Sequence, residues 1–176
     1  MGARNYLVDG VSGSGKTSVA EELQRRGRHV IHGDRELAYH GDPATGEPRG
    51  GPSGETGEAA TAWRHRHWIW NVETVRSLVA DHAHPETFFC GGSRNHSYFI
   101  DLFNKVFVLE ADLDCLKARV ALRADDEFGG KPDEWAMLAQ LHATREDLPQ
   151  VAVSVDAARP ISTVVDDILS RCGTST

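Results

Sequence analysis

The sequence predicts an α/β fold, in which helices cover both faces of a parallel sheet. Short apolar runs alternate with longer segments of helical periodicity along the 176 residues. A glycine-rich stretch joins the first apolar run to the first helical segment. Polar residues follow three of the apolar runs, as they do where parallel strands end at one edge of a sheet. This length favours a single domain, residues 1–176, with a buried core.

Five short apolar runs are predicted to be strands: Asn5–Asp9, His29–His32, Thr87–Cys90, Lys105–Leu109 and Val151–Val155. Five longer segments are predicted to be helices: Lys16–Arg26, Ala60–Ala83, Asp112–Ala124, Asp133–Glu146 and Ile161–Cys172. Val19, Ala20 and Leu23 share one side of the first helix, so we expect that side to pack on the sheet. Asp112 is suited to cap the helix that follows it.

One segment departs from the composition of a small domain. Residues 40–57 (HGDPATGEPRGGPSGETG) are rich in Gly, Pro, Ser and Thr, which is typical of a long loop. Long loops in compact domains are either functional elements or tolerated insertions. We expect a mobile loop at about residues 40–60 on the side of a bound substrate.

Charge and hydropathy exclude several classes of partner. A net charge of −7 argues against a nucleic-acid partner, which needs a basic surface. No apolar run is long enough to span a membrane, and no signal peptide is recognisable. The three cysteines are far apart in the sequence, which is typical of reduced thiols. These features predict a cytoplasmic protein without a membrane partner.

The stretch Gly10-Val11-Ser12-Gly13-Ser14-Gly15-Lys16-Thr17 has the spacing G-x-x-x-x-G-K-[ST] of a phosphate-binding P-loop. The glycines allow a tight turn, and the following helix adds its unpaired N–H groups. Lys16 is predicted to reach the β- and γ-phosphates, and the Thr17 hydroxyl is predicted to ligate Mg²⁺. The sequence therefore predicts binding of a nucleoside triphosphate, ATP with Mg²⁺, by residues Gly13, Ser14, Gly15, Lys16, Thr17 and Ser18.

Asp34 and Arg35 follow the second predicted strand, across the sheet edge from the P-loop. Transfer of a phosphoryl group to an alcohol needs an acceptor for the hydroxyl proton and a carboxylate near Mg²⁺. Asp34 could serve either role, or it could simply cap a helix. Arg35 is a candidate for contact with the substrate.

Gly91, Gly92 and Arg94 follow the third predicted strand. Paired glycines let a substrate approach the backbone, and Arg94 offers a cation to it. An ordinary turn with a surface arginine is the alternative. The strand itself, Phe88-Phe89-Cys90, lacks the acidic residue that often ligates Mg²⁺ in P-loop proteins, so Mg²⁺ is assigned to Thr17 and Asp34.

Arg119 and Arg123 lie four residues apart, on one side of a predicted helix that runs into a glycine-containing loop. Such a pair could close over transferring phosphates from a lid at about residues 119–132. Solvated arginines paired with nearby acids are the alternative.

The segment Trp63-Arg64-His65-Arg66-His67-Trp68-Ile69-Trp70 is dense in rings and cations. Its two histidines have no cysteine or carboxylate at ligand spacing nearby, which argues against zinc. Trp68 is a candidate for the wall of an acceptor pocket, because an indole offers a flat face and a polar tip.

With these motifs assembled, the chain resembles the adenylate-kinase-like P-loop kinases, among them shikimate, gluconate and nucleoside kinases and chloramphenicol phosphotransferase. Residues Gly10–Thr17, His32-Gly33-Asp34 and Gly91-Gly92 carry the resemblance. It implies a P-loop NTPase three-layer sandwich, with a parallel five-stranded sheet in the order 2-3-1-4-5 and a small lid. It also implies that one of Arg119 and Arg123 stacks on adenine while the other reaches a phosphate, and that the loop ending at Pro160 lies on the adenine side.

The predicted activity is transfer of the γ-phosphoryl group of ATP to a hydroxyl of a nucleoside, sugar, cyclitol or natural product. The catalytic candidates are Lys16, Asp34, Arg119 and Arg123. A nucleoside monophosphate kinase is one alternative; Arg49, Arg64 and Arg66 could each supply the arginine for its second phosphate. A regulatory ATP-binding module is another.

Overall fold

The structure is a computed structural model that describes residues 3–122 and 128–173. These ranges contain the strands β1 Arg4–Asp9, β2 His29–His32, β3 Ala38–His40, β4 Trp68–Trp70, β5 Glu86–Cys90, β6 Lys105–Glu110 and β7 Val153–Asp156. Five of them form a parallel sheet in the order β2-β5-β1-β6-β7, while β3 and β4 form an antiparallel pair. Counted along the five predicted strands this order is 2-3-1-4-5, so the predicted topology is confirmed.

The helices are α1 Lys16–Arg25, α2 Gly33–Glu36, α3 Gly57–Arg66, α4 Val72–Ala80, α5 Leu113–Val120, α6 Pro132–Thr144 and α7 Ile161–Cys172. Two short 3₁₀ helices, His96–Tyr98 and Ile100–Leu102, lie between β5 and β6. Asp112 caps α5 by accepting a hydrogen bond from the Cys115 N–H at 2.7 Å. None of the helices within the described ranges combines the length and apolar character needed to cross a membrane.

Apolar side chains of the sheet alternate between two cores, one on each face. Tyr6 and Val8 of β1 pack with the apolar sides of α1 and α7. Leu7, between them, packs on the other face with Phe89 and Trp70. This alternation follows from the pleat of a strand, and it places helices on both faces as predicted.

The single helix predicted over Ala60–Ala83 is wrong. The chain forms α3, then the short strand β4, then α4. Trp68, Ile69 and Trp70 pair with β3 instead of continuing the helix. Aromatic and β-branched residues favour a strand when a partner strand is present, and that partner lies 30 residues away in the sequence.

The loop after β3 begins with a hydrogen-bonded turn. Asp42 accepts the backbone N–H of Gly46 at 2.8 Å, and its carboxylate pairs with Arg49 at 2.9 Å. Tyr39 donates its hydroxyl hydrogen to the Gly46 carbonyl at 2.7 Å. The predicted mobility of residues 40–60 stays a prediction. The predicted lid at 119–132 also stays one, because residues 123–127, with Arg123, lie outside the described residues.

Trp70 joins the β3–β4 pair to the edge of the sheet where the P-loop lies. Its indole is 1% exposed and stacks on Phe99 with ring centroids 5.7 Å apart. Two glycines make room for the ring: a Cβ on Gly33 would lie 2.0 Å from Trp70 Cζ2, and one on Gly91 would lie 2.7 Å from it. The ends of β2 and β5 therefore meet one aromatic ring where neither carries a side chain.

We expect Gly33→Ala to destabilise the fold by about 1–3 kcal/mol, because the added methyl group overlaps a buried ring that cannot move freely. Urea denaturation gives the free energy of unfolding. Gly51→Ala is the matched control, since a Cβ there has no heavy atom within 4 Å. Equal stability of the two variants would contradict this account of Trp70.

Candidate active site

The P-loop connects β1 to α1 with the geometry of a phosphate cradle. Gly13 and Gly15 have φ angles of 86° and 106°, a left-handed conformation that favours glycine. Among the described residues, no side chain caps the start of α1. Its first N–H groups can therefore bind an anion at the positive end of the helix dipole. The loop fits the triphosphate that the sequence predicts.

A cavity of about 680 Å³, here called the P-loop cavity, lies over this loop. Residues 12–19 line one side of it, including Gly13, Ser14, Gly15, Lys16, Thr17 and Ser18. Asp34, Arg35, Arg119, Arg159 and Ile161 line other parts. Pro160 caps α7 and is not part of the lining, although its two neighbours are. Arg35, predicted to contact the acceptor, lines this cavity, and its contact with a substrate stays a prediction.

Arg119 bridges the P-loop and the loop after β7. Its Nη1 donates to the Ser14 carbonyl at 3.0 Å and to the Gly13 carbonyl at 3.4 Å. Its Nη2 donates to the carbonyl of Ala157. A guanidinium can make these bonds together because its donors lie in one plane and point in several directions. Arg119 thus holds together two segments that line the P-loop cavity.

A second cavity of about 390 Å³, here called the α3–α6 cavity, adjoins the first. Its charged lining includes Lys16, Asp34, Arg64, Arg94 and Asp147. Its apolar lining includes Trp68, Phe128, Leu138, Leu141 and Leu148. Apolar walls with a few convergent polar groups are typical of a small-molecule site.

Lys16 and Asp34 line both cavities. Lys16 Nζ donates to the carbonyls of Gly10 at 2.5 Å and Val11 at 3.2 Å, so the ammonium group lies across the P-loop. Asp34 Oδ1 accepts the Gly92 N–H at 3.1 Å and the Trp68 Nε1–H at 3.3 Å. Both bonds go to Oδ1, and the described residues form no hydrogen bond with Oδ2.

The two predicted glycines have different surroundings. Gly92 lines the α3–α6 cavity, whereas Gly91 is not part of its lining. A Cβ on Gly91 would lie 2.8 Å from Asp34 Oδ1. Gly91 therefore allows a close approach of the protein's own Asp34 and Trp70, and its predicted contact with a substrate stays a prediction.

Asp9 is a buried acid next to the P-loop to which the sequence analysis gave no role. Its Oδ1 accepts the Gly10 N–H at 2.6 Å, and its Oδ2 has no hydrogen-bond partner among the described residues. Burial raises the pKa of Asp9, and the Lys16 charge only partly offsets that effect. An acid that ends a run of apolar residues just before a P-loop was the signal that could have identified it.

Asp147 was also missed, and it pairs with Arg94. Asp147 Oδ1 lies 2.5 Å from Arg94 Nη1, and Asp147 Oδ2 lies 2.5 Å from His65 Nε2. Burial alone would raise the pKa of Asp147, but the hydrogen bond from His65 and the Arg94 charge lower it below its ordinary value. Nothing local in the sequence marks this residue, because its partners lie 82 and 53 positions earlier.

The histidines of residues 63–70 have protein partners. His65 pairs with Asp147, and His67 stacks on Trp63 with ring centroids 4.2 Å apart. No group of three or more His, Cys, Asp or Glu side chains that could hold a metal occurs in the described part of the chain.

Comparison of the sequence with protein families identifies one match. Residues 7–134, well over half of the chain, match the family AAA_18, described as an AAA domain. The chain belongs to the AAA_18 family. A comparison of this AAA_18 protein with curated proteins finds no significant match.

Solved structures with the same fold include several small-molecule kinases. A gluconokinase from Sinorhizobium meliloti has 24% identity, covers 96% of this chain and 91% of its own, and gives a TM-score of 0.55. A shikimate kinase from Bacteroides thetaiotaomicron has 16% sequence identity and a TM-score of 0.61. The match covers 95% of this chain and 97% of the shikimate kinase. A deoxyadenosine kinase from M. mycoides with bound dATP has 13% sequence identity and a TM-score of 0.50. The match covers 99% of this chain and 100% of the deoxyadenosine kinase. The resemblance to this kinase fold is thereby confirmed over nearly the whole AAA_18 chain.

We expect Arg119→Ala to raise the Kd for ATP about tenfold or more, because charged hydrogen bonds that order two walls of the P-loop cavity are lost. Isothermal titration calorimetry measures this Kd. Lys117→Ala, which removes an exposed cation from the same helix, is the control and should leave the Kd within about twofold. Unchanged affinity in Arg119→Ala would contradict the bridging role.

We expect Asp9→Asn to gain stability relative to the native protein between about pH 4 and pH 7. The folded pKa of Asp9 is raised above its ordinary value of 3.8, so ionisation destabilises the native fold as pH rises through and above that value. The asparagine keeps an acceptor for Gly10 N–H and does not ionise. Urea denaturation at both pH values gives the difference, with Asp114→Asn on the exposed side of α5 as control. A difference that is independent of pH would contradict the shifted pKa.

Proposed function

We propose that this protein is an ATP-dependent kinase that transfers the γ-phosphoryl group to a hydroxyl of a small molecule. The observation that carries the proposal is that Lys16 and Asp34 line both the P-loop cavity and the α3–α6 cavity. A donor phosphate in one cavity and an acceptor hydroxyl in the other would meet at these two residues. The fold shared with gluconokinase, shikimate kinase and deoxyadenosine kinase structures supports the same class of reaction.

The P-loop cavity is assigned to ATP with Mg²⁺. The N–H groups at the start of α1 and the Lys16 ammonium group would hold the phosphates, and the exposed Thr17 hydroxyl would ligate Mg²⁺. Asp34 lines the same cavity as Thr17 and is the described carboxylate that could assist the metal there. When bound, ATP supplies the phosphoryl group, and Mg²⁺ neutralises charge on its phosphates.

Asp34 is assigned as the residue that orients and deprotonates the acceptor hydroxyl. The Gly92 N–H and Trp68 Nε1–H hold its Oδ1, so the carboxylate keeps one orientation. The acceptor oxygen bonds to the γ-phosphorus while the bond to the ADP oxygen breaks, and the hydroxyl proton passes to Asp34. Trp68, Gly92 and Arg94 form part of the acceptor wall.

A nucleoside monophosphate kinase is the second candidate, and one observation favours it. Of Arg49, Arg64 and Arg66, Arg64 lines the α3–α6 cavity, whereas Arg49 pairs with Asp42 and Arg66 is exposed outside the lining. An arginine at the cavity could bind the phosphate of such an acceptor.

An ATP-consumption assay across nucleosides, nucleoside monophosphates, sugars, cyclitols and aminoglycosides, with product masses, tests the proposal. We expect one class to yield a phosphorylated product. Asp34→Asn should lower that transfer about 10²–10⁴-fold while ATP binding persists, because a general base contributes this much. Lys16→Ala should lose both transfer and ATP affinity.

Two outcomes would overturn the assignment. Transfer retained within about tenfold in Asp34→Asn would remove Asp34 as the base. ATP binding without a phosphorylated product from any class would favour a regulatory ATP-binding module. Glu58→Gln, an exposed acid in α3 outside both cavity linings, is the control for loss of a negative charge.

A further inference from the structure

Arg94 is the most enclosed of the arginines that line the α3–α6 cavity, and the protein neutralises it. The side chain of Arg94 is 15% exposed and that of Asp147 is 17% exposed, with 2.5 Å between Nη1 and Oδ1. His65 holds the other carboxylate oxygen of Asp147. A guanidinium in this position would otherwise bind a carboxylate or phosphate of an acceptor. Asp147 of the protein itself takes the place of such an acceptor group by pairing with Arg94.

Among the described residues, the other charges at the cavity do not build a second enclosed anion site. Lys16 lies on the P-loop, where the phosphates of the donor require it. Arg64 lines the cavity but is exposed, so water competes with an anion for it and it binds one more weakly than an enclosed guanidinium would. Burial and the Arg64 charge lower the pKa of His40, which disfavours a positive charge on its ring. Asp34 adds a negative charge that repels an acidic acceptor.

We propose that Asp147 makes this enzyme selective for acceptors without a carboxylate or phosphate, namely neutral polyols and nucleosides. The inference rests on the proposed kinase function and deepens it by naming the charge of the acceptor. Asp147 acts through Arg94: it is a specificity-determining residue that does not take part in phosphoryl transfer. Trp68 and the leucines of α6 supply apolar surface for the uncharged parts of such a molecule.

The test uses pairs of probes that differ in one acidic group: uridine with uridine 5′-monophosphate, and glucose with glucuronate. In the native protein we expect the neutral member of a pair to have at least about a tenfold higher kcat/KM, because an acidic group would meet Asp34 and a neutralised Arg94. Asp147→Asn should shift that ratio at least about tenfold towards the acidic member, because Arg94 becomes free to pair with it.

The controls separate lost charge from lost structure. Asp133 of α6 accepts the hydroxyl hydrogen of Thr61 of α3 at 2.7 Å, whereas the described ion pair of Arg94 is with Asp147. Asp133→Asn should therefore leave the ratio unchanged. Adding Arg94→Gln to Asp147→Asn should abolish the gain for the acidic probe. Asp147→Ser repeats the test if the asparagine variant does not fold.

Binding of the probe, measured by calorimetry, tests the role of Asp147 independently of whether the protein transfers a phosphoryl group. With MgADP on the P-loop, glucuronate should bind Asp147→Asn at least about tenfold more tightly than it binds the native protein, whether or not transfer occurs. Absence of any phosphorylated product would defeat the kinase proposal alone. A native preference for the acidic probes, or no gain of glucuronate binding in Asp147→Asn, would overturn the role of Asp147.

Discussion

The packing of Trp70 between the ends of β2 and β5 is the contact on which the site depends. Gly33 and Gly91 leave the space for its ring, and the same absence of side chains brings Asp34 within hydrogen-bond distance of the Gly92 N–H. Because β5 lies between β2 and β1 in the sheet, this contact lies between Asp34 and the strand that leads into the P-loop. The orientation of the proposed catalytic carboxylate is thus a result of core packing.

The cationic side chains of the site have two kinds of partner, backbone carbonyls and a carboxylate. Lys16 and Arg119 donate to backbone carbonyls around the P-loop, whereas Arg94 pairs with a carboxylate. Carbonyl dipoles hold a cation without cancelling its charge, so Arg119 brings positive charge to the P-loop side, where it suits phosphates. A full negative charge cancels that of Arg94. The two adjoining cavities therefore differ in electrostatic character although both contain arginine.

The sequence was sufficient for the features that depend on local order. The P-loop, the strand order and the placement of Asp34 at the sheet edge follow from short motifs and from the rules of parallel sheets. The sequence was insufficient for features that depend on contacts between residues far apart in the chain. Trp68–Trp70 become a strand because Ala38–His40 are beside them, and Asp147 acquires its partners only when α6 packs near α3. In both cases the partners lie farther apart in the sequence than the short segments in which hydrophobic periodicity can be recognised.

The three hydrogen bonds of Arg119 have a consequence for the thermodynamics of ligand binding. The P-loop and the loop after β7 are ordered by folding itself, so the conformational entropy of these segments is lost before any nucleotide arrives. A ligand that enters a preorganised site gives up less of its interaction energy to ordering the protein. Its binding enthalpy then reports mainly the new contacts with the phosphates and the base.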